Sequence, residues 1–363
     1  MKITAGLGSI DDYIPYVEAG ADEFFCGYVP HEWMICGGLN YPLNRREVLY
    51  YNVQIGSESE MEILSELVRQ KKKPVTIALN ALLYAPHQYP MIKKLIRRLF
   101  YMGFSSFIVG DMALLVYLKQ NVKEPIEIHI SGELSEINQF MIDEVRSLGA
   151  KRIIFHRKVT PQEMKSCIGY QKEKYPQTPL EYEAFVLNEM CHFTGAFCSS
   201  LHCDELAPAC RLPYRLIKIE GDKMVSEQNL TECTRDNIYE YDVNDYDASD
   251  SSVNSEENIA SSEESEKELL EDESFENEYL LGRSGCGLCA LWQLRTAGIT
   301  HLKLVSRGNY TADTLEDIRR LRHAITILEE SFVEDEYKKR MRHELFPRGC
   351  SHNCYYLMEG QLK

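Results

Sequence analysis

Cysteine is the residue type through which this chain of 363 residues could do chemistry, and it has twelve of them. Eight fall into three groups. Cys191, Cys198, Cys203 and Cys210 follow one another closely, with C-x6-C and C-x11-C intervals from Cys191 to Cys198 and from Cys198 to Cys210. Cys286 and Cys289 form a C-x2-C pair, and Cys350 and Cys354 a C-x3-C pair. Thiolates are soft ligands that select iron–sulfur clusters, zinc and copper(I). A cluster needs about four of them converging, and they can come from loops far apart in sequence. The neighbourhoods of Cys191, Cys198, Cys210 and Cys289 are polar and loop-like, as ligands require. Cys26 and Cys167 read instead as small buried side chains, and Cys36 and Cys233 are scattered.

Other chemistries have less support. A cysteine nucleophile needs a histidine and an orienting group, and His192 and His202, near candidate cysteines in sequence, read equally as solvated loop residues. No Ser-His-Asp arrangement and no His-Glu-x-x-His is visible, and no G-x-G-x-x-G follows the first apolar run. Asp11 and Asp12 interrupt what a signal peptide would need as its apolar region. No run of about 18 apolar residues is present either. A cytoplasmic location is therefore expected, with no membrane partner, and reduced thiols that serve metals or catalysis better than disulfides.

The net charge of −16 is not a property of the whole surface. Residues 235–278 hold 17 acids and two bases, and the other 319 residues carry a net charge of −1. The remainder thus has no basic excess of the kind that binds duplex nucleic acid. The acidic tract is rich in Ser, Asn, Asp and Glu and poor in apolar residues, so disorder is expected for it. It reads as a solvated insertion in a surface loop, with a docking tail or a mimic of nucleic-acid charge as the alternative.

The elements that must position the cysteines alternate between strand and helix. Strands are predicted at Lys2–Ala5, Glu23–Val29, Pro74–Leu79, Ser106–Val109, Ile126–Ile130, Arg152–His156, Leu180–Leu187 and Leu302–Val305. Helices are predicted over Asp11–Ala19, Glu60–Gln70, Met91–Met102, Ala113–Lys119, Ser135–Leu148, Pro161–Gln171 and Leu315–Leu328. Eight β/α units favour a parallel (β/α)8 TIM-like barrel over an open sheet. Its parts are expected as residues 1–233 for the first seven units and a cysteine-rich insertion after strand seven, and 234–279 for the acidic tract. Residues 280–331 then supply the closing cysteine segment, strand eight and last helix, and 332–363 a C-terminal extension. Strand C-terminal ends form the catalytic face of such barrels, where Asn80, Asp111, His129, Ser131, Glu133, Glu183 and Arg307 are candidates. Among these, Asp111, His129 and Glu183 are the catalytic candidates. Glu183 points inward if Tyr182 and Ala184 face the helices, and a carboxylate there must be paired. Arg45 and Arg46, in the loop after strand two, are candidates for an anionic group.

The segment EAFVLNEMCHFTGAFCSS with the following ACRLPYR resembles the signature of the collagenase-like peptidase family, peptidase U32. Its Glu-x-Phe is Glu183 and Phe185, its two cysteines Cys191 and Cys198, and its Cys-Arg pair Cys210 and Arg211. EAGADEFFCGY, HISGELSEINQFMIDEVRSLGAKRIIFHRKVTPQEM and CGLCALWQLRTAGITHLKLVSR resemble further family segments, collinearly over most of residues 1–330. Three departures stand out. The family's Gly-Ser/Ala before the first cysteine is Asn188-Glu189, its glycine between the cysteines is displaced to Gly195, and its Arg-Glu-Leu-Ser is Arg157-Lys158-Val159-Thr160.

The resemblance implies a TIM-like barrel and, from its better understood relatives, a 4Fe–4S cluster held by four cysteines. Those relatives support oxygen-independent hydroxylation of RNA or of small aromatic molecules. Cys191, Cys198 and Cys210 match three ligand positions. Spacing to the Ala-Gly that follows favours Cys286 as the fourth, but the local Leu-Cys-Ala-Leu context favours Cys289, which is taken as the fourth ligand. A second partition fits the spacing as well. Cys286-x2-Cys289 with Cys350-x3-Cys354 has the pair-plus-pair pattern of a zinc-type thiolate site, and Cys203 then joins the first group. The family name implies a peptidase acting on peptides as the alternative. A non-catalytic metal-binding module for RNA or assembly is the third reading.

Overall fold

The computed structural model describes residues 1–35, 42–46, 53–134, 137–191, 216–220, 223–228 and 279–356. The acidic tract and Cys198, Cys203 and Cys210 lie outside them. The chain divides into two compact units, one of Met1–Arg211 with Leu281–Lys363 and one of Leu212–Leu280.

The first unit is a closed barrel of eight parallel strands. These are β1 (Lys2–Leu7), β2 (Glu23–Cys26), β3 (Val75–Leu79), β4 (Ser106–Val109), β5 (Glu127–Ile130), β6 (Ala150–Ile154), β7 (Glu181–Leu187) and, after a two-stranded hairpin of the other unit, β10 (His301–Leu304). The hairpin is β8 (Leu216–Glu220) against β9 (Lys223–Gln228), antiparallel, where the sequence suggested only loop. Barrel strands pair in chain order, and β10 closes the ring between β7 and β1. Lys2 pairs with His301 at the seam, and Glu183 with His301 on the other side. Nearly every strand residue is buried on both faces, as a sheet enclosed by helices requires.

Helices α1 (Tyr13–Ala19), α2 (His31–Ile35), α3 (Glu58–Lys71), α4 (Gln88–Met102), α5 (Met112–Asn121), α6 (Gln139–Ser147), α7 (Pro161–Lys174), α8 (Leu291–Ala297) and α9 (Thr311–Glu330) intervene, and α10 (Glu334–Leu345) follows. Local chemistry sets their ends. Thr160 and Glu163 make a reciprocal capping box, with Pro161 in the first turn of α7. The helix expected from Ser135 begins only at Gln139, because the Asn138 side chain accepts from the amides of Phe140 and Met141 and so fixes the start there. Helix α10 buries Tyr337, Met341 and Leu345, four residues apart, and the Tyr337 hydroxyl donates to the Leu288 carbonyl at 2.7 Å. The C-terminal segment is thereby fastened to the first unit. Among the described residues no helix is long and apolar enough to cross a membrane.

Candidate active site at the barrel mouth

Inside the barrel the charges are paired. Arg152 on β6 donates to Glu183 (3.0 Å), Glu23 (2.8 Å) and Glu181 (2.7 Å). Lys303 on β10 donates to the other oxygen of Glu183 at 2.7 Å and lies 3.7 Å from the centre of the Phe25 ring. Glu183 thus points inward, as expected, and both its oxygens are taken. Burial raises its carboxyl, but Lys303 and Arg152 outweigh burial and hold it down to about 2. His129 shares this interior, where burial and then Arg152 push its imidazole down to about 3. It is neutral, and its Nε2 has no hydrogen-bond partner. Asp111 stands apart from these two. One of its oxygens caps α5 through the Ala113 amide (2.8 Å), and the other accepts from the Tyr84 amide and the Tyr89 hydroxyl. That is the work of a helix anchor.

The strand C-terminal ends form a second polar layer. Glu133 after β5 pairs with Arg157 after β6 at 3.3 Å and with Arg45 at 3.7 Å. Arg157 also stacks on the Phe185 ring, 3.9 Å from its centre. Arg46 pairs with Glu189 after β7 and donates to the Arg307 carbonyl. Arg307 after β10 donates to Asn44 (3.0 Å) and to the Val53 carbonyl (2.8 Å), and Asn80 accepts from the Arg45 amide at 3.2 Å. The Ser131 hydroxyl accepts from the Glu133 amide at 3.1 Å. Arg45, Arg46, Arg307, Asn80, Ser131 and Glu133 therefore meet on one face.

His156 at the end of β6 belongs here too. The Lys158 amide donates to its Nδ1 at 3.3 Å, which leaves the proton on Nε2, and Nε2 is buried without a partner. Burial, joined by the Arg157, Lys158 and Arg45 charges, pushes this imidazole down to about 4. The sequence signal for His156 and Arg157 was the same as for the other candidates, a polar residue at a strand's C-terminal end, but they had been read only as strand and loop.

Cys191 lies four positions past β7, partly exposed, and is an electrostatic neighbour of the Arg157 guanidinium. The chain reaches it through Asn188 and Glu189, both left-handed (φ 66° and 56°). Asn tolerates that conformation better than most residues, which accounts for an asparagine where the family has glycine. The Asn188 side chain donates to Asp317 at 2.6 Å, and its carbonyl accepts from the Tyr355 hydroxyl. The segment before Cys286 runs alongside, its Gly285 carbonyl accepting from the Asn188 amide (2.9 Å) and its Ser284 carbonyl from the Met190 amide (2.6 Å). Cys286 and Cys289 line a pocket with Cys350 and Cys354, and Cys191 is not part of that lining. Cys26 is fully buried at the end of β2 and burial pushes its thiol up to about 12; Cys167 is also buried. Both pack as small side chains.

Solved structures that match the chain include a U32 peptidase (13% identity, 51% of this chain, 69% of that chain, TM-score 0.39). A designed cube-shaped protein cage matches at 10% identity (94% and 77%, TM-score 0.43), and a 2,3-dimethylmalate lyase at 10% (55% and 71%, TM-score 0.33). Among curated proteins none matches the chain. The model of peptidase family U32 matches residues 8–362, so the chain belongs to that family.

Proposed function

We propose that this U32 protein is an iron–sulfur enzyme of the oxygen-independent hydroxylation type, acting at the barrel mouth on RNA or on a small aromatic substrate. In this reading Cys191, Cys198 and Cys210 hold a 4Fe–4S cluster. Cys203 serves as the fourth ligand, since Cys286 and Cys289 face Cys350 and Cys354 instead. The observation that supports it is the position of Cys191 four residues past β7, on the face that serves catalysis in such barrels and within the electrostatic reach of Arg157. A neighbouring cation favours the thiolate that a metal requires and offsets the negative charge of a thiolate-bound cluster. Bound there, the cluster supplies one-electron transfer. The chain's own residues do the rest. Arg45, Arg46 and Arg157 suit an anionic group such as a phosphate or carboxylate, and the neutral His156 offers its Nε2 proton as a donor at the rim.

Anaerobically purified protein is expected to be brown, with about four iron and four sulfide per chain. Cys191→Ala is expected to remove the colour while the barrel stays folded by circular dichroism. A colourless, iron-free wild type prepared the same way overturns the proposal. Membership of peptidase family U32 supports a second reading, a peptidase acting on peptides. Cleavage of gelatin or casein that a single Cys→Ala change abolishes would favour it over the first.

A further inference from the structure

Beside the end of β7, where Cys286 bridges Leu187, two separated stretches of chain bring four thiols to one pocket. Cys286 and Cys354 are bridge partners: the Cys286 amide donates to the Asn353 carbonyl at 2.7 Å, and the Tyr355 amide to the Cys286 carbonyl at 2.9 Å. Cys289 lies in the short 3-10 turn Leu288–Ala290 that leads into α8, and Cys350 opens the loop that returns to Cys354. All four line the same pocket. Arg342 of α10 lines it too.

The backbone is bent to bring these sulfurs in. Gly282 (φ 68°) passes so near Cys286 that a Cβ there would lie 2.6 Å from the Cys286 Cβ. In the second stretch Gly349 (φ 95°) and His352 (φ 59°) are both left-handed. None of the four thiols is in a disulfide.

We infer that Cys286, Cys289, Cys350 and Cys354 form a second metal site, a tetrathiolate that takes one zinc ion and clasps the C-terminal segment to the lead-in of β10. Four thiolates in pair-plus-pair spacing make a closed, structural donor set with no position for substrate. Among the described residues no three ligating side chains stand close enough, as the thiols are turned, to share an ion. Closing the site therefore takes movement of these thiols toward one another.

The test is zinc and iron analysis of the full chain, wild type against Cys350→Ser/Cys354→Ser. About one zinc per wild-type chain is expected, and the double variant is expected to lose it while keeping the barrel's circular dichroism and whatever iron the wild type holds. Cobalt(II) added to zinc-stripped wild type is expected to give the visible spectrum of a tetrahedral thiolate, and the double variant is expected to give none, a readout that does not depend on purification history. A wild type that carries no zinc and gives no such cobalt spectrum overturns the inference. So does a double variant that loses iron and keeps zinc, which would return the closing-segment cysteines to the cluster. Zinc without iron in the wild type upholds this site and overturns the function proposed above.

Discussion

At the scale of single residues, the barrel interior is an electrostatic arrangement with a testable pH signature. Glu183 was readable as inward-facing from the alternation along its strand. Its partners were not, because Arg152 and Lys303 lie 31 and 120 positions away and only barrel closure brings them together. His129 and His156 are held neutral, down to about 3 and about 4, each chiefly by burial. In the unfolded chain a histidine takes up a proton near pH 6.5. Below that value the unfolded state binds more protons than the folded one, so stability is full above about pH 6.5 and falls as pH drops toward 4. The slope is at most about 1.4 kcal/mol per pH unit for each histidine. Glu183 adds a later loss with the sign of a depressed carboxyl: its contribution is present above about pH 4.3 and disappears as pH falls toward 2. Urea midpoints measured from pH 7 to pH 4.5 are expected to decline steadily, and His129→Gln is expected to reduce the slope. A flat profile would contradict the burial argument.

At the scale of elements, the turn after β7 decides where Cys191 goes. The resemblance marked Asn188-Glu189 as a departure from the family's pattern, and sequence alone had no account of it. The structure supplies one: two consecutive left-handed residues, the first anchored by its side chain to Asp317 and by its carbonyl to Tyr355. Asn188→Ala removes both the Asp317 hydrogen bond and a residue tolerant of positive φ. Asn188→Gly removes only the bond. The alanine variant is therefore expected to be less stable than the glycine variant by about 1–2 kcal/mol, the usual cost of a left-handed Cβ, in paired urea titrations. Equal stabilities would mean that the turn relaxes. Element ends show the same limit of sequence reading. Strand positions were legible from apolar runs, whereas the start of α6 depended on one capping asparagine. Helix α10 was passed over although Tyr337, Met341 and Leu345 repeat every four residues, because its remaining positions are almost all charged.

For the whole molecule, the β/α alternation was legible because each unit carries its own local signal, and all eight barrel strands fall where that signal put them. What the alternation does not reveal is how far the intervening chain contributes. The strands come from residues 2–187 and 301–304, so every ladder of the barrel closes without the acidic tract. Removing residues 234–279 shortens the link between Cys191 and Leu281 by about half. Halving a flexible loop changes its closure entropy by only about 0.6 kcal/mol, in the stabilising direction. The deletion leaves all eight grouped cysteines in place and takes the net charge from −16 to −1. The shortened chain is therefore expected to keep its thermal midpoint within a few degrees, to keep whatever iron and zinc the full chain binds, and to elute much earlier from an anion exchanger. If the metals or the cooperative melting transition are lost, the tract acts on the fold or on the ligands, and charge alone is not its contribution.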